Sequence, residues 1–372
     1  MLRILVRTSI SVAVVGLIAI TAGCGSIVLA PAGAKTMAFT LTDAGCEPHE
    51  AKAAAGSIVF EVENAGTSAV SEFEVLDGDT ILGEKENLAE GLSGSFSLDL
   101  EAGEYTLYCP GGSDERGTLT VTGKAPAQDN PQAEAAISQY RSYLERNTSE
   151  LVARTKPFTA AVIAADLARA KQLYPVARVP YERIEPVAES FGDLDPRIDA
   201  RANDVPAGEF EGFHKIEQAL WARNTTAGMA PVARQLLADV EELQQKVKTV
   251  DLQAVQIANG ANELLGEVSA SKITGEEERY SHTDLVDFEA NVEGAEAAFE
   301  AVEPLVAEKD PHLASQIEAD FAKVYASLKP YRRGDGFISY TELSKADTRE
   351  LAQKIDALAE QLSLVPALIV SE

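Results

Sequence analysis

Gly212-Phe-His-Lys-Ile-Glu217 lies inside a helical-looking run from Glu209 to Arg223. At helical spacing, His214 and Glu217 are three residues apart and project from one face. Phe213, Ile216, Ala219, Leu220 and Trp221 give the rest of the run an apolar pattern. The expectation is a largely packed helix with a small polar window. An imidazole and a carboxylate at this spacing can grip one borderline or hard cation. The same pair also fits a plain surface histidine beside a glutamate, so its reading depends on what the chain brings near it.

Working outward, the helical period holds from about residue 132 to the C-terminus. Candidate helices cover about 132–155, 157–175, 180–190, 209–223, 228–247, 251–271, 284–308, 311–328 and 340–363. Asn130-Pro131, Asp251, Thr283-Asp284 and Asp310-Pro311 are start signals. Long amphipathic helices with short connections predict a helical bundle over 132–372. Upstream of the opening motif stands Tyr181-Glu-Arg-Ile-Glu185-Pro-Val-Ala-Glu189-Ser-Phe-Gly-Asp193-Leu-Asp195-Pro-Arg-Ile-Asp199. Glu182, Glu185 and Glu189 form one helical stripe of like charge, which is self-repelling. A cation would relieve the repulsion, and so would ion pairs with Arg183 and Arg279. A second acidic cluster, Gly275-Glu-Glu-Glu278-Arg-Tyr-Ser-His282-Thr-Asp284, follows later.

Before residue 124 the period is two. Segments 37–42, 57–62, 71–76, 94–100, 104–108 and 117–121 alternate, separated by Gly, Asn and Asp clusters. Short strands with frequent turns predict an antiparallel sandwich or barrel over 37–123. Lys124 to Pro131 reads as a linker. Cys46 and Cys109 bracket this β segment. Tyr105-Thr-Leu-Tyr-Cys109-Pro-Gly resembles the metal-loop end of a cupredoxin, but the sequence continues Pro110-Gly-Gly-Ser-Asp114-Glu115, with neither His nor Met. A trigonal blue-copper set therefore cannot be assembled. Two readings stay open: a Cys46–Cys109 disulfide, or a different metal site joining both cysteines to Glu72 and Asp114.

The first 23 residues read as an export leader, with Arg3 and Arg7, an apolar core from Ile10 to Ile20, and Thr21-Ala-Gly23 before Cys24. That context resembles a bacterial lipobox, with Thr21 departing from the preferred Leu. It predicts a lipidated Cys24, a tether over 24–36 and anchoring to the outer face of the cell membrane. The formal charge of the 372-residue chain is −27. This argues against nucleic acid or an anionic membrane surface as a ligand and suits a protein that meets cations.

Three stretches carry a family resemblance: Tyr181 to Pro196, Gly212 to Glu217, and Ile273-Thr-Gly-Glu-Glu-Glu-Arg-Tyr-Ser-His-Thr-Asp-Leu285. Together with the domain order they resemble the EfeO family, extracytoplasmic iron-binding components of EfeUOB iron-uptake systems. The resemblance covers about residues 37–372. It implies an N-terminal all-β cupredoxin-like sandwich followed by an all-α, imelysin-like (M75) bundle. It implies capture of iron, as Fe2+ or Fe3+, with Zn as a possible substitute, and delivery to an EfeU-type permease beside an EfeB-type peroxidase. The implied metal residues are His214 and Glu217, with Glu182, Glu185 and Asp195, and with Glu277 or Glu278 from the later cluster. In the β domain the matching set is Cys46, Glu72, Cys109 and Asp114, for copper or a second iron.

Two rival functions are set against this one. A metallopeptidase of thermolysin type needs two histidines a turn apart and a glutamate base. The motif helix has one histidine, and His49, His282 and His312 are scattered, so no enzyme is expected. A metal-bridged polysaccharide-binding protein is the other rival, disfavoured by the negative charge.

Overall fold

The computed structural model describes residues 35–78, 80–125 and 130–370. The expected leader, Cys24, the tether up to residue 34 and residues 126–129 of the linker lie outside these, as does the side chain of Glu189. No helix among the described residues is long and apolar enough to cross a membrane.

Residues 35–122 form a β-sandwich. One sheet has the order β2 (Gly45–Glu47), β1 (Lys35–Thr42), β4 (Gly56–Asn64), β7 (Ser93–Leu100). The other runs β3 (Glu50–Ala54), β9 (Arg116–Thr122), β8 (Gly103–Tyr108), β5 (Phe73–Asp77), β6 (Thr80–Lys85). The expected antiparallel sandwich is in fact mixed, because β1 pairs parallel with β4 and β3 with β9. Alternation is silent on strand direction, and the Ala- and Lys-containing β3 has little strand propensity of its own; pairing with β9 forms it. Between the sheets, Phe60 stacks on Phe96 with centroids 5.0 Å apart, and Phe39 lies 4.7 Å from Phe73.

Cys46 and Cys109 are joined in a buried disulfide that links one sheet to the other. This corrects the metal alternative: a disulfide offers no thiolate. The other two members of that set are separated from the bridge's chemistry. Asp114 is exposed beside His49 at 3.6 Å, whereas Glu72 lines a cavity described below. The bridge spans 63 residues, and closing a loop of that length stabilises a fold by roughly 4 kcal/mol. A Cys46→Ser/Cys109→Ser variant is therefore expected to unfold at clearly lower temperature than the oxidised chain, as calorimetry under non-reducing conditions would show.

Residues 131–370 are mostly helical. α1 (Pro131–Ile163) starts at Asn130, whose side chain accepts from the N–H groups of Gln132 and Ala133 at 3.0 and 3.1 Å. It continues through Pro157, where the sequence suggests a break. The proline removes one backbone donor, but the buried face of Tyr140, Leu144, Leu151 and Phe158 holds the helix against its neighbours. After it come α2 (Leu167–Glu182), α3 (Leu194–Asp199), α4 (Gly212–Trp221), α5 (Ala230–Lys246), α6 (Ala254–Ala270), α7 (Asp284–Lys309), α8 (Pro311–Leu328), α9 (Lys345–Leu362) and α10 (Val365–Val370). The expected helix at 180–190 is instead the end of α2 followed by a 3-10 segment, Glu185–Phe191, kinked at Val187.

The two domains meet where α6 packs on the edge strand β7 and on β6. Asn259 donates to the Ser97 carbonyl at 2.7 Å, Gln253 to that of Asp99 at 2.9 Å, and Gln256 to that of Leu82 at 3.0 Å. Side-chain amides thus satisfy backbone groups that an edge strand would leave open. Lys85 adds an ion pair to Glu263 at 2.9 Å.

Candidate metal centre

Four segments converge on His214. Gly212 starts α4 at φ +74°, and a Cβ there would lie 2.1 Å from the Ile198 carbonyl oxygen. Only glycine lets α4 begin directly against the end of α3, which places His214 beside Asp199. The His214 side chain is 2 % exposed. Its Nε2 lies 3.5 Å from Asp199 Oδ1 and 3.3 Å from Glu277 Oε1. Its Nδ1 lies 3.5 Å from Glu217 Oε2. Neither ring nitrogen makes a hydrogen bond to another described residue. Asp199, His214 and Glu277 place their ligand atoms within 4.8 Å of one another.

Glu217 does not share that point. Its Oε1 accepts from the N–H groups of Tyr280 and Ser281 at 2.8 and 2.7 Å. Those bonds turn the carboxylate to the Nδ1 side of the ring, away from Asp199 and Glu277. Glu217 thus meets the imidazole at Nδ1 while Asp199 and Glu277 meet it at Nε2, because backbone donors from 280–281 decide where the carboxylate points.

The other expected carboxylates lie close by but are taken up by internal cations or, for Asp195, by a tyrosine hydroxyl. Glu182 pairs with Arg178 and accepts from Asn291 at 3.1 Å. Glu185 pairs with Lys272 and Asn291. Asp195 accepts from the Tyr181 hydroxyl. Glu278 lies 2.7 Å from Arg178 Nε and accepts from Tyr174 at 3.0 Å. Arg183 and Arg279, the expected balancing charges, turn elsewhere: Arg183 to Glu293 at 2.7 Å and Arg279 to the Ala202 carbonyl at 2.8 Å. His282 donates its backbone N–H to the Glu278 carbonyl at 2.8 Å from a left-handed conformation.

Sequence reasoning missed Asp199, Arg178 and Lys272. Asp199 ends the acidic run and had a usable signal, since it lies one turn after Asp195 on α3. Arg178 lies one turn from both Tyr174 and Glu182 on α2, a face that reads as core. One guanidinium cannot keep every carboxylate around it ionised. Burial pushes Glu182, Glu278 and Asp287 well above the usual carboxylate range. Asp199, Glu217 and Glu277 go the other way. Burial opposes their ionisation, but Arg178 and His214 hold Asp199 low, His214 and the 280–281 amides hold Glu217 low, and Lys272, His214 and Arg201 hold Glu277 well below the usual range. Burial and the Arg178 charge push the imidazole down, yet Asp199 and Glu217 outweigh them and leave it well above its ordinary value. The anionic oxygens are therefore the ones that face the imidazole, a donor set suited to iron or zinc.

Asp199 and Glu277 also line a cavity of about 770 Å³ between the two domains. On its β side stand Glu72, Glu74 and Glu84, with ligand oxygens within 4.8 Å of one another. Burial, reinforced by neighbouring carboxylates, raises Glu72 to about 8 and Glu86 to about 7; burial likewise lifts Glu74 to about 7.

Comparison with known proteins agrees with this architecture. Residues 136–365 match the imelysin (peptidase M75) family, and residues 11–121 match the cupredoxin-like domain. The iron uptake system component EfeO of Escherichia coli (strain K12) is 42% identical over 334 residues, which are 87% of this chain and 88% of that protein. The EfeO of Shigella flexneri shows the same identity and coverage. A solved chain from Parabacteroides distasonis ATCC 8503, described as an iron-regulated protein A precursor, shares the helical fold with a TM-score of 0.52 at 17% identity, over 65% of this chain and 97% of that one. With a cupredoxin-like sandwich joined to an imelysin bundle, and this identity over nearly its whole length, the chain belongs to the EfeO family of iron uptake system components.

Proposed function

We propose that the protein is the extracytoplasmic iron-binding component of an EfeUOB-type uptake system. It captures iron between His214 Nε2, Asp199 and Glu277 and delivers it to a membrane permease of EfeU type, with an EfeB-type peroxidase as the other partner. The observation that carries this reading is the buried imidazole whose Nε2 faces Asp199 Oδ1 and Glu277 Oε1 at 3.5 and 3.3 Å, near enough for the three to share one ion. Glu217 orients the ring through Nδ1, which leaves Nε2 for the ion. The acidic cavity draws cations towards Asp199 and Glu277 from both domains. Lipidation of Cys24 would keep the chain at the membrane face where a permease receives the ion.

A peptidase reading takes its support from the family's name alone. Among the described residues, the group around His214 holds no second histidine, whereas zinc peptidases of the thermolysin type use two and a glutamate base.

Crystals soaked with iron and measured at the iron absorption edge test the site. The expected result is an anomalous peak within bonding distance of His214, Asp199 and Glu277. A peak confined to Glu72, Glu74 and Glu84 would move the function to the β domain and overturn the assignment.

A further inference from the structure

Arg178 heads the fully buried side chains by volume. Its guanidinium meets five carboxylates. It pairs with Glu182, grips both oxygens of Asp199, lies 3.1 Å from Glu277 Oε1 and 2.7 Å from Glu278 Oε1, and reaches Asp287 at 3.7 Å. Phe213, the residue before His214, lies beneath it with the ring centroid 5.6 Å away.

Which oxygens it touches matters more than how many. Asp199 Oδ1 and Glu277 Oε1 are the two atoms that face His214 Nε2, and Arg178 is in contact with both. Lys272 and Arg201 reach Glu277 through its other oxygen, Oε2, at 3.6 and 3.1 Å. The guanidinium is thus a fixed positive charge resting on both proposed ligand atoms, beside the histidine.

We propose that Arg178 is an internal stand-in for the cargo ion. In the ion-free chain it holds the ligand carboxylates together against their mutual repulsion. In the loaded chain its fixed charge opposes the ion's and keeps binding weak enough for release. The inference rests on the reading of the His214 site given above.

The experiment uses the full chain as wild type, Arg178→Gln, Arg178→Lys and His214→Ala, with Zn2+ as a redox-inert probe. Thermal unfolding and Zn2+ titration are measured for each. Arg178→Gln removes the charge from buried carboxylates, so its ion-free form is expected to melt well below wild type. Saturating Zn2+ should then restore most of the loss, a rise at least twice that of wild type, and Zn2+ affinity should increase by about tenfold. Arg178→Lys keeps the charge and should stay within about threefold of wild-type affinity, an allowance for the lost fork. If Arg178→Gln does not fold alone, refolding with Zn2+ decides: recovery supports the stand-in role, and no recovery overturns it. Weaker Zn2+ binding in Arg178→Gln, or destabilisation with no enlarged Zn2+ response, also overturns it. A wild type that ignores Zn2+, or a His214→Ala chain that responds as wild type does, sinks the site itself rather than the arginine's role.

Discussion

Replacing His214 with alanine is expected to weaken Fe2+ binding by more than about 100-fold, because the site loses its imidazole donor while keeping the carboxylates. His214 is the side chain on which Asp199, Glu277 and Glu217 converge. Glu217→Gln keeps the size and a hydrogen-bonding group but loses the charge that fixes the ring. Its loss is expected to be smaller, roughly 10- to 100-fold, as for other partners that orient a metal-bound histidine. Anaerobic titration of both variants beside wild type measures the two steps. Equal losses would place Glu217 on the ion itself, and unchanged affinity in His214→Ala would remove the site. The order His214 over Glu217 follows because Glu217 meets the ring at Nδ1, on the side away from Asp199 and Glu277.

The ion-free chain should lose stability as pH rises from about 5 to 8. Burial raises Glu72 to about 8, and it raises Glu74, Glu86, Glu185 and Glu267 to about 7. In that window the folded chain keeps protons that the unfolded chain has already released. Stability therefore falls as pH climbs from the unfolded values through the folded ones. His214, raised well above its ordinary value, acts with the same sign, since its stabilisation is present at low pH and is lost as pH rises. Asp199, Glu217 and Glu277 are depressed, so their contribution is lost only in acid, below the window. A net loss of roughly 2–4 kcal/mol would lower the melting temperature by about 3–5 °C for a chain of this size. Calorimetry at pH 5, 6.5 and 8 in the presence of a chelator checks this, and a flat or rising profile would contradict the crowding of carboxyls around the cavity.

The β-sandwich was legible because alternation of apolar and polar residues marks a half-buried strand whatever it pairs with. Segments such as Ser57–Val62 and Gly94–Leu100 appear as β4 and β7. Strand direction and the short strands β2 and β3 were not legible, since pairing partners in this sandwich lie as far apart as Glu50 and Thr118 and leave no local trace. In the bundle, periodicity found the helices, but the expected break between 155 and 157 is absent, because packing carries α1 on through Pro157 to Ile163.

By itself the sequence determined a β-sandwich followed by a helical bundle, a His214–Glu217 face on one helix, and an excess of carboxylates near it. These follow from local period, spacing and composition. Tertiary structure alone decided which carboxylates meet the imidazole. Glu182 and Glu185 go to Arg178 and Lys272, Asp195 to Tyr181, and Glu217 to the 280–281 amides, leaving Asp199 and Glu277 for Nε2. A carboxylate's partner is set by the nearest cation or donor in space, and here those arrive from α2, α4 and the segment between α6 and α7, some one turn away and others more than 60 residues away in the chain.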